Sequence, residues 1–194
     1  MRKDFFVFRH GQTDYNLANR WQGSGIDADL NETGLAQAES LAEKVKDLGI
    51  EKIYSSPLRR AYQTATAVAK KTNAPIEIMN ELIEGSVGAC EGLFREDVQK
   101  KYPDIWADWY GENMNMETRW PGGESKGEIQ DRMFVAFNKM LNTKENIIGV
   151  ASHGGAIRYF LIALSCLQSH LCCQPEYILP QHQHPILLHR KRPR

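Results

Sequence analysis

The sequence has no hydrophobic run long enough to cross a membrane. Its longest late run, Tyr159 to Leu164, falls far short of the ~18 apolar residues that a bilayer span needs. The apolar run after Lys3 covers only Phe5 to Phe8, which is shorter than the ~7 residues of a signal-peptide core. We therefore expect neither a membrane partner nor an export signal.

Cysteines at metal-binding or disulfide-scaffold spacing are also lacking. The chain has 4 cysteines and no Cys-x-x-Cys pair; they are Cys90, Cys166, Cys172 and Cys173. Without such pairs, reduced thiols are the simplest interpretation. We expect a cytoplasmic protein.

There is no excess of charge of either sign. The 24 basic and 24 acidic residues cancel, which argues against nucleic acid or an acidic membrane surface as the main partner. Basic residues gather only at the end, from Arg190 to Arg194. We interpret that end as a solvated tail rather than an RNA or lipid contact.

The glycine patterns of nucleotide-binding loops are missing as well. Gly23-Ser24-Gly25 has neither the wider glycine spacing of a dinucleotide-binding turn nor the lysine of a phosphate-binding loop. A Rossmann or P-loop protein is therefore not expected.

Strand-like and helix-like segments alternate along the 194 residues, a length that suits one domain. Apolar and β-branched runs predict strands at 4–8, 52–55, 76–79 and 146–151. Three-four spacing predicts helices at 32–48, 58–71, 124–141 and from 154 to about 167. The irregular residues 84–123 are expected to form short helices and loops that roof a site. This alternation predicts an α/β fold, a three-layer α/β/α sandwich with a mostly parallel sheet.

Several chemically active side chains follow the predicted strands. His10 comes after the first strand and His153 after the last; Arg60 opens the helix after the second strand, and Glu84 follows the third. Ligands of open α/β sheets bind beyond the carboxyl ends of the strands, and helix N-termini favour anions. We therefore expect these residues, together with Arg9, to surround one spot.

Such a cluster suits phosphoryl chemistry. Two guanidiniums match the oxygens of a phosphoryl group, and a neutral imidazole is an effective nucleophile toward phosphorus. Glu84 would protonate the leaving alkoxide, provided that its environment raises its pKa. The scheme requires no metal and no cofactor. Each residue taken alone would more often be structural or a surface charge, so the prediction depends on the combination.

The motifs in order resemble those of the histidine phosphatase (phosphoglycerate mutase-like) superfamily. The resemblance covers roughly residues 4 to 165. Three motifs lie in the first third of the chain: R-H-G-Q-T-D-Y-N at 9–16, Q-G at 22–23 and S-S-P-L-R-R-A-Y-Q-T-A at 55–65. Three more follow: L-I-E with later glycines and E-G at 82–92, P-G-G-E-S at 121–125 and S-H-G-G at 152–155. The arginine before Ala61 matches the family pattern, which favours Arg60 over Arg59.

The resemblance implies a phosphoglycerate mutase-like fold and a role for each matched residue. His10 would form a phosphohistidine, and Arg9, Arg60 and His153 would hold the phosphoryl oxygens. Glu84 would act as proton donor and later activate water. The phosphate pocket would be lined by Asn16, Thr13, Gln22, Gly23 and Gly154.

Within this superfamily the chain looks more like the phosphatases than the mutases. The run Trp21-Gln22-Gly23-Ser24 stands where cofactor-dependent mutases have Phe-Thr-Gly-Trp, and the chain is short. We expect a phosphomonoester hydrolase acting on a small phosphorylated metabolite. A cofactor-dependent phosphoglycerate mutase and a non-catalytic phosphate-binding protein remain the alternatives.

The resemblance fades near the end of the chain. We predict a catalytic domain at residues 1–167 and an atypical tail at 168–194. Residues 178–179 and 186–188 could be remnants of strands, although Pro180 and Pro185 argue against a central position. His182 and His184 could bind a transition metal, but an unstructured polar tail is the preferred interpretation. A strand edge near the tail would permit a homodimer.

Overall fold

Five strands of the described chain form one sheet. The computed structural model describes residues 2–111, 115–169 and 186–187, of which 166–169 and 186–187 are described by backbone alone. The strands are β1 (Asp4–Arg9), β2 (Lys52–Ser55), β3 (Ile76–Ile78), β4 (Ile147–Ser152) and β5 (Ile186–Leu187). Their order is β3-β2-β4-β1-β5. The first four are parallel to one another and β5 is antiparallel to β1, which confirms the mostly parallel sheet.

Seven helices are described alongside this sheet. They are α1 (Asp14–Leu17), α2 (Glu32–Val45), α3 (Arg59–Thr72), α4 (Arg95–Lys101), α5 (Pro103–Tyr110), α6 (Lys126–Leu141) and α7 (Gly154–Ser169). Single 3₁₀ turns occur at Asn80–Leu82 and Gly88–Cys90. The helices at 32–45, 59–72, 126–141 and 154–169 correspond to the four predicted ones.

Helices cover both faces of the sheet because successive strand residues point to opposite sides. Val7 belongs to one apolar cluster and Phe8 to the other, and the same alternation separates Tyr54 from Ile53. Helices α2 and α3 bury their alanine-rich faces in the cluster of Phe8 and Ile53. Helices α6 and α7 pack in the cluster of Val7 and Tyr54. This is the predicted three-layer α/β/α sandwich.

The start of α6 differs from the prediction by two residues. Ser125 is the N-cap, its hydroxyl accepting from the backbone N–H of Glu128 while the Glu128 carboxylate accepts from the Ser125 N–H. This capping box starts the helix at Lys126, so that Glu124 lies before it. Glu124 is thereby freed for contacts outside the helix.

The segment between β3 and α6 forms a roof of aromatic side chains over one sheet edge. Trp120 is fully buried at its centre. The ring of Trp21 meets it edge-on at 4.6 Å between centroids, and Trp109 lies 5.4 Å away. The predicted short helices of this region are α4 and α5.

Only part of the predicted tail is described. Leu187 pairs with Phe6 and Ile186 with Val7 at the edge of the sheet, where a strand following Pro185 would be tolerated. Residues 178–179, both histidines of the suggested metal site, Cys172 and Cys173 lie outside the described residues. The division at residue 167 therefore stays a prediction. None of the helices that the structure describes is long and apolar enough to cross a membrane.

Candidate active site

The carboxyl ends of β1 and β4 bring the two predicted histidines together. The strands pair in register up to Arg9 and Ser152, and the His10 backbone N–H donates to the Ser152 carbonyl at 3.1 Å. Each histidine is the next residue after its strand. Their ring centroids are 5.0 Å apart and the ring planes are tilted by 57°.

His10 is held as a neutral imidazole in which one ring nitrogen is unprotonated. Its Nδ1 lies 2.7 Å from the Gly11 carbonyl oxygen. A carbonyl only accepts hydrogen bonds, so Nδ1 carries the proton and Nε2 keeps its lone pair. Burial, followed by the positive charges of Arg9 and Arg60, holds the pKa of His10 well below its usual value. The neutral, nucleophilic form is therefore available at neutral pH.

His153 is completely buried. Its Nε2 lies 2.7 Å from the Ser56 hydroxyl. Its Nδ1 is buried and has no hydrogen-bond partner among the residues described. Burial is the main cause that lowers the pKa of His153, with His10 and Arg60 as the next contributors. A buried, unpartnered ring nitrogen beside His10 is a group that a bound ligand could satisfy.

Arg60 is anchored by backbone carbonyls rather than by a carboxylate. Its Nη1 donates to Ile26 O at 2.7 Å and its Nη2 donates to Gly23 O at 2.9 Å. Gly23 adopts a φ of +59°, a conformation that suits glycine, and this aims its carbonyl at the guanidinium. Arg60 is 1% exposed, and burial lowers its pKa. Its charge is not cancelled by an ion pair in the described chain, so it is available to an anion.

Arg9 lies on the open side of the same spot. Its side chain is exposed, and its guanidinium packs against Gly154, where an added Cβ would lie 3.4 Å from Nε. No ion pair of Arg9 is found within residues 2–111 and 115–169. Arg9 and Arg60 thus present two positive charges near Nε2 of His10.

Glu84 reaches the start of α7. Its Oε1 accepts from the backbone N–H groups of Gly85 and Ala156, both at 2.9 Å, and its Oε2 accepts from that of Gly155 at 3.1 Å. Such donors at a helix N-terminus stabilise negative charge. Gly155 permits this approach, because a Cβ there would lie 2.8 Å from Oε1 of Glu84.

Asn16 and Thr13 were both expected to line the phosphate pocket, but only Asn16 does so. The Asn16 Oδ1 accepts from the Thr13 backbone N–H at 3.2 Å and from the Thr13 hydroxyl at 3.1 Å. Asn16 lines the cavity, and with Oδ1 occupied its Nδ2 is the group left to donate. Thr13 is fully buried as the N-cap of α1. Its side chain therefore orients Asn16 instead of lining the cavity.

These side chains surround a cavity of about 330 Å³. Of the ten predicted site residues, eight line it: Arg9, His10, Asn16, Gln22, Gly23, Arg60, Glu84 and Gly154. His153 and Thr13 are not among the residues that line it. The Gln22 side-chain oxygen is buried without a partner among the described residues, so it too has unused hydrogen-bonding capacity.

Other residues of the cavity wall were not predicted from the sequence. They include an outer rim of three exposed arginines, Arg20, Arg95 and Arg158, and the aromatic rings of Trp21, Trp109, Tyr110 and Tyr159. Arg158 could have been found, because it lies one helical turn after Gly154 and so shares its face of α7. Arg20 lies in an irregular segment and Arg95 opens a short helix, and the sequence carries no periodicity that points either of them inward.

The arrangement is suited to displacement at phosphorus. A bare imidazole nitrogen, two guanidiniums and a carboxylate converge on one cavity. Across the described ranges, no group of three or more His, Cys, Asp and Glu side chains is found that could hold a metal ion. The groups present supply nucleophile, charge stabilisation and a site for proton transfer.

Known proteins resemble this chain in sequence and in fold. The sequence model of the histidine phosphatase superfamily (branch 1) matches residues 5–172. A metal-independent phosphoserine phosphatase of Arabidopsis thaliana is 33% identical over 165 residues, which cover 84% of this chain and 68% of the relative. A phosphoglycerate mutase-like protein of the same plant is 32% identical over 159 residues, covering 80% and 68% of the two chains.

Solved structures give the same result. A mycobacterial glucosyl-3-phosphoglycerate phosphatase in complex with VO3 matches with a TM-score of 0.76 at 28% identity. The match covers 84% of this chain and 81% of the other. The similarity therefore extends over most of the chain.

Proposed function

This chain belongs to the histidine phosphatase superfamily (branch 1) and is a phosphomonoester hydrolase of that family; we propose that it works through a phosphohistidine formed at Nε2 of His10. The observation that carries the proposal is the hydrogen bond between Nδ1 of His10 and the Gly11 carbonyl. This bond places the proton of the neutral ring on Nδ1, so that Nε2 keeps its lone pair, and the charges of Arg9 and Arg60 act on the same ring.

In the first step, Nε2 of His10 attacks the phosphorus of the ester. The N–P bond forms as the bond between phosphorus and the ester oxygen breaks, and the leaving oxygen takes a proton from Glu84, which must enter this step as the protonated carboxyl. The three backbone N–H donors favour its carboxylate, the form that the second step uses. Arg9 and Arg60 neutralise the charge on the phosphoryl oxygens, and His153 and Asn16 donate to them. Because Nδ1 stays bonded to Gly11, the ring cannot rotate away during attack.

In the second step, water takes the phosphoryl group. The Glu84 carboxylate accepts a proton from the attacking water, the new P–O bond forms and the N–P bond breaks. Inorganic phosphate leaves, and Nε2 of His10 is bare again. Glu84 thus serves first as acid and then as base, as microscopic reversibility requires.

A small phosphorylated metabolite is the substrate class that fits best. The cavity of about 330 Å³ is at the lower end of the range for small-molecule sites. Two relatives are named for phosphoserine and glucosyl-3-phosphoglycerate, which are both small phosphate esters. These names support the class and leave the individual substrate to experiment.

The proposal is tested by hydrolysis of p-nitrophenyl phosphate. His10→Ala should lower kcat at least about a thousandfold, because the nucleophile is lost. Arg60→Ala should lower kcat/KM about a hundredfold. Arg59→Ala is the matched control, since the neighbouring Arg59 points to Asp27 and Asp29 at the surface, and it should retain activity. Equal turnover by wild type and His10→Ala would reject the nucleophile and favour the non-catalytic phosphate-binding alternative.

Phosphoglycerate mutase activity is the second candidate, favoured by the mutase-like relative. It predicts isomerisation of 3-phosphoglycerate that depends on 2,3-bisphosphoglycerate. We expect phosphate release without isomerisation. The cytoplasmic location, the homodimer and the absence of a nucleic-acid partner stay predictions.

A further inference from the structure

The guanidinium of Arg60 is held by a turn that lies far from it in the sequence. Its two terminal nitrogens donate to the Ile26 and Gly23 carbonyls. Its Nε is buried and has no hydrogen-bond partner among the residues described. A buried guanidinium nitrogen of this kind can donate to a bound anion. Where Nε lies therefore depends on the turn that holds the other two nitrogens.

That turn, residues 22–26, is closed by its own backbone. The Ile26 N–H donates to the Gln22 carbonyl at 3.3 Å, and Gly23 adopts the positive φ noted above. Gln22 and Gly23 also line the cavity. A shift of the turn would thus move Arg60 and part of the cavity wall together.

The Glu91 carboxylate packs against this turn where two glycines leave room for it. Its Oε1 accepts from the Gly25 backbone N–H at 3.1 Å. A Cβ at Gly23 would lie 2.5 Å from Oε1 of Glu91, and a Cβ at Gly25 would overlap Oε2. Glycine at both positions therefore permits the close approach of the carboxylate.

Backbone hydrogen bonds place Glu91 beside the turn. Its own N–H donates to the Gly88 carbonyl at 3.0 Å, and the N–H of Gly92 donates to the Trp21 carbonyl at 2.7 Å. The Trp21 N–H donates in turn to the Leu93 carbonyl at 3.0 Å. The half-buried side chain of Glu91 thus starts from a backbone position that is fixed next to residue 22.

The place of Glu91 is not explained by an ion pair or by contact with substrate. It forms no salt bridge within residues 2–111 and 115–169, and it is not among the residues that line the cavity. Burial is the main cause that lowers the pKa of Arg60, and Glu91 is one of the carboxylates that oppose it. Both its hydrogen bond and its charge thus act on the surroundings of Arg60.

We propose that Glu91 is a positioning residue for Arg60. Its carboxylate holds the turn at residues 22–26 in the shape that keeps the Arg60 guanidinium in the anion site. The hydrogen bond from Gly25 carries this role. Because an amide oxygen accepts hydrogen bonds as a carboxylate does, glutamine can replace Glu91 and alanine cannot. This proposal rests on the proposed phosphatase function and adds a residue that does not touch the substrate.

Phosphate binding in His10→Ala protein tests the positioning role without turnover. Inorganic phosphate is the probe, and calorimetric titration gives its dissociation constant. Adding Glu91→Ala should weaken binding about tenfold, because a displaced guanidinium donates poorly. Adding Glu91→Gln instead should leave the dissociation constant within about threefold of the value for His10→Ala. A failed phosphatase assay leaves this measurement intact, so the two proposals can fail separately.

Gly25→Ala displaces the carboxylate while Glu91 stays in the chain. Gly25 does not have a positive φ, so its backbone suits alanine, but the new methyl group would overlap Oε2 of Glu91. The flexible end of the side chain can move away, which breaks the hydrogen bond without unfolding the protein. Phosphate binding should again weaken about tenfold. In Glu91→Ala protein the same substitution should have no further effect, since the carboxylate is already absent.

A double-mutant cycle separates the positioning of Arg60 from general support of the fold. Arg60→Ala and Glu91→Ala should each lower kcat/KM for p-nitrophenyl phosphate. Combined, they should lower it no further than Arg60→Ala alone, because Glu91 acts through Arg60. Glu39→Ala removes an exposed acid from α2, and this control should keep wild-type kinetics and phosphate binding. Thermal unfolding shows whether each variant is folded.

Two sets of results would overturn the positioning role. Unchanged phosphate binding in Glu91→Ala and Gly25→Ala, or fully additive losses in the cycle with Arg60→Ala, would show that Glu91 does not act through Arg60. Equal losses in Glu91→Gln and Glu91→Ala would show that the hydrogen bond is not what matters. If Glu91→Ala does not fold, Gly25→Ala and Glu91→Gln decide between these outcomes.

Discussion

Arg132 and Glu124 are joined by two hydrogen bonds, Nε to Oε1 at 2.9 Å and Nη2 to Oε2 at 3.2 Å. The two side chains contact the backbone on both sides of Glu84. Arg132 also donates to the carbonyl of Ile83 at 2.6 Å, and the Glu124 carboxylate accepts from the Ser86 backbone N–H at 2.8 Å. Ile83 is thereby fixed to α6, and Ser86 is fixed to the residue that precedes the N-cap of α6.

Breaking this clamp should impair proton transfer more than phosphoryl binding. Arg132→Gln is expected to lower kcat for an alkyl phosphate roughly tenfold, because Glu84 loses its position as general acid. The loss should be smaller for p-nitrophenyl phosphate, whose leaving group needs little protonation. Steady-state kinetics with both esters measures this difference.

The matched control for the clamp is Arg119→Gln. Arg119 forms an exposed ion pair with Glu128, outside the loop of Glu84, and such pairs contribute little to stability. Its removal should leave the ratio of the two rates unchanged. If Arg132→Gln slowed both esters equally, Arg132 would have a general structural role and not position the acid.

The close approach of α7 to Glu84 gives a second prediction. Gly155→Ala would place a methyl group 2.8 Å from Oε1 of Glu84, so the carboxylate must shift by some tenths of an ångström. A displacement of this size should lower kcat about tenfold without unfolding the protein. Turnover of an alkyl phosphate, together with thermal unfolding, checks this. Unchanged kcat in Gly155→Ala would contradict the placement of Glu84.

Ser56 should contribute to the stability of the folded chain. Its hydroxyl is the one described partner of the His153 side chain, so Ser56→Ala leaves a buried ring nitrogen unsatisfied. Loss of such a partner costs about 1–3 kcal/mol of unfolding free energy. Ser165→Ala is the control, because among the residues described the Ser165 hydroxyl bonds only to the Ile162 carbonyl of its own helix. Urea unfolding of both variants measures the difference, and equal stabilities would show that the bond to His153 is unimportant.

The two buried histidines predict how stability depends on pH. Their pKa values are lowered in the folded chain, so below about pH 6.5 the unfolded chain binds protons that the folded chain does not. Stability is therefore full above pH 6.5 and is lost as the pH falls toward the folded pKa values. Each histidine contributes a slope of up to about 1.4 kcal/mol per pH unit.

Removal of one histidine isolates its share of that slope. His153→Gln should reduce the slope of the unfolding free energy against pH, between pH 6.5 and 5, by the contribution of one bound proton. This window lies above the ordinary range of the carboxyl groups, so the acids contribute little to it. Chemical unfolding at several pH values provides the measurement. An identical slope in wild type and variant would mean that His153 is not buried in its neutral form.

The sheet and the inner site could be predicted from the sequence because their signals are local. A strand that ends directly before His10 or His153 places the imidazole at the sheet edge whatever the rest of the chain does. The same reasoning located Arg60 and Glu84. The four long helices showed a clear apolar periodicity, with errors only at their ends, as at Ser125.

The remaining features depend on contacts between distant segments. Glu84 accepts hydrogen bonds from backbone amides of α7 that lie more than seventy residues later in the sequence. No local sequence pattern predicts a contact over that separation. The rim arginines come from a loop, a short helix and a long helix. Thr13 was expected to touch phosphate because it belongs to a motif. A motif does not distinguish a residue that lines the cavity from a buried N-cap residue that orients a lining residue.

The most direct test of the account is to trap the phosphorylated enzyme. Rapid quenching during turnover of a ³²P-labelled phosphate ester should leave label on the protein that is stable to base and labile to acid, as expected for a phosphoramidate. Peptide mapping should place it on His10, and His10→Ala should carry none. Label on another residue, or turnover by His10→Ala at the wild-type rate, would contradict the assignment of His10 as nucleophile.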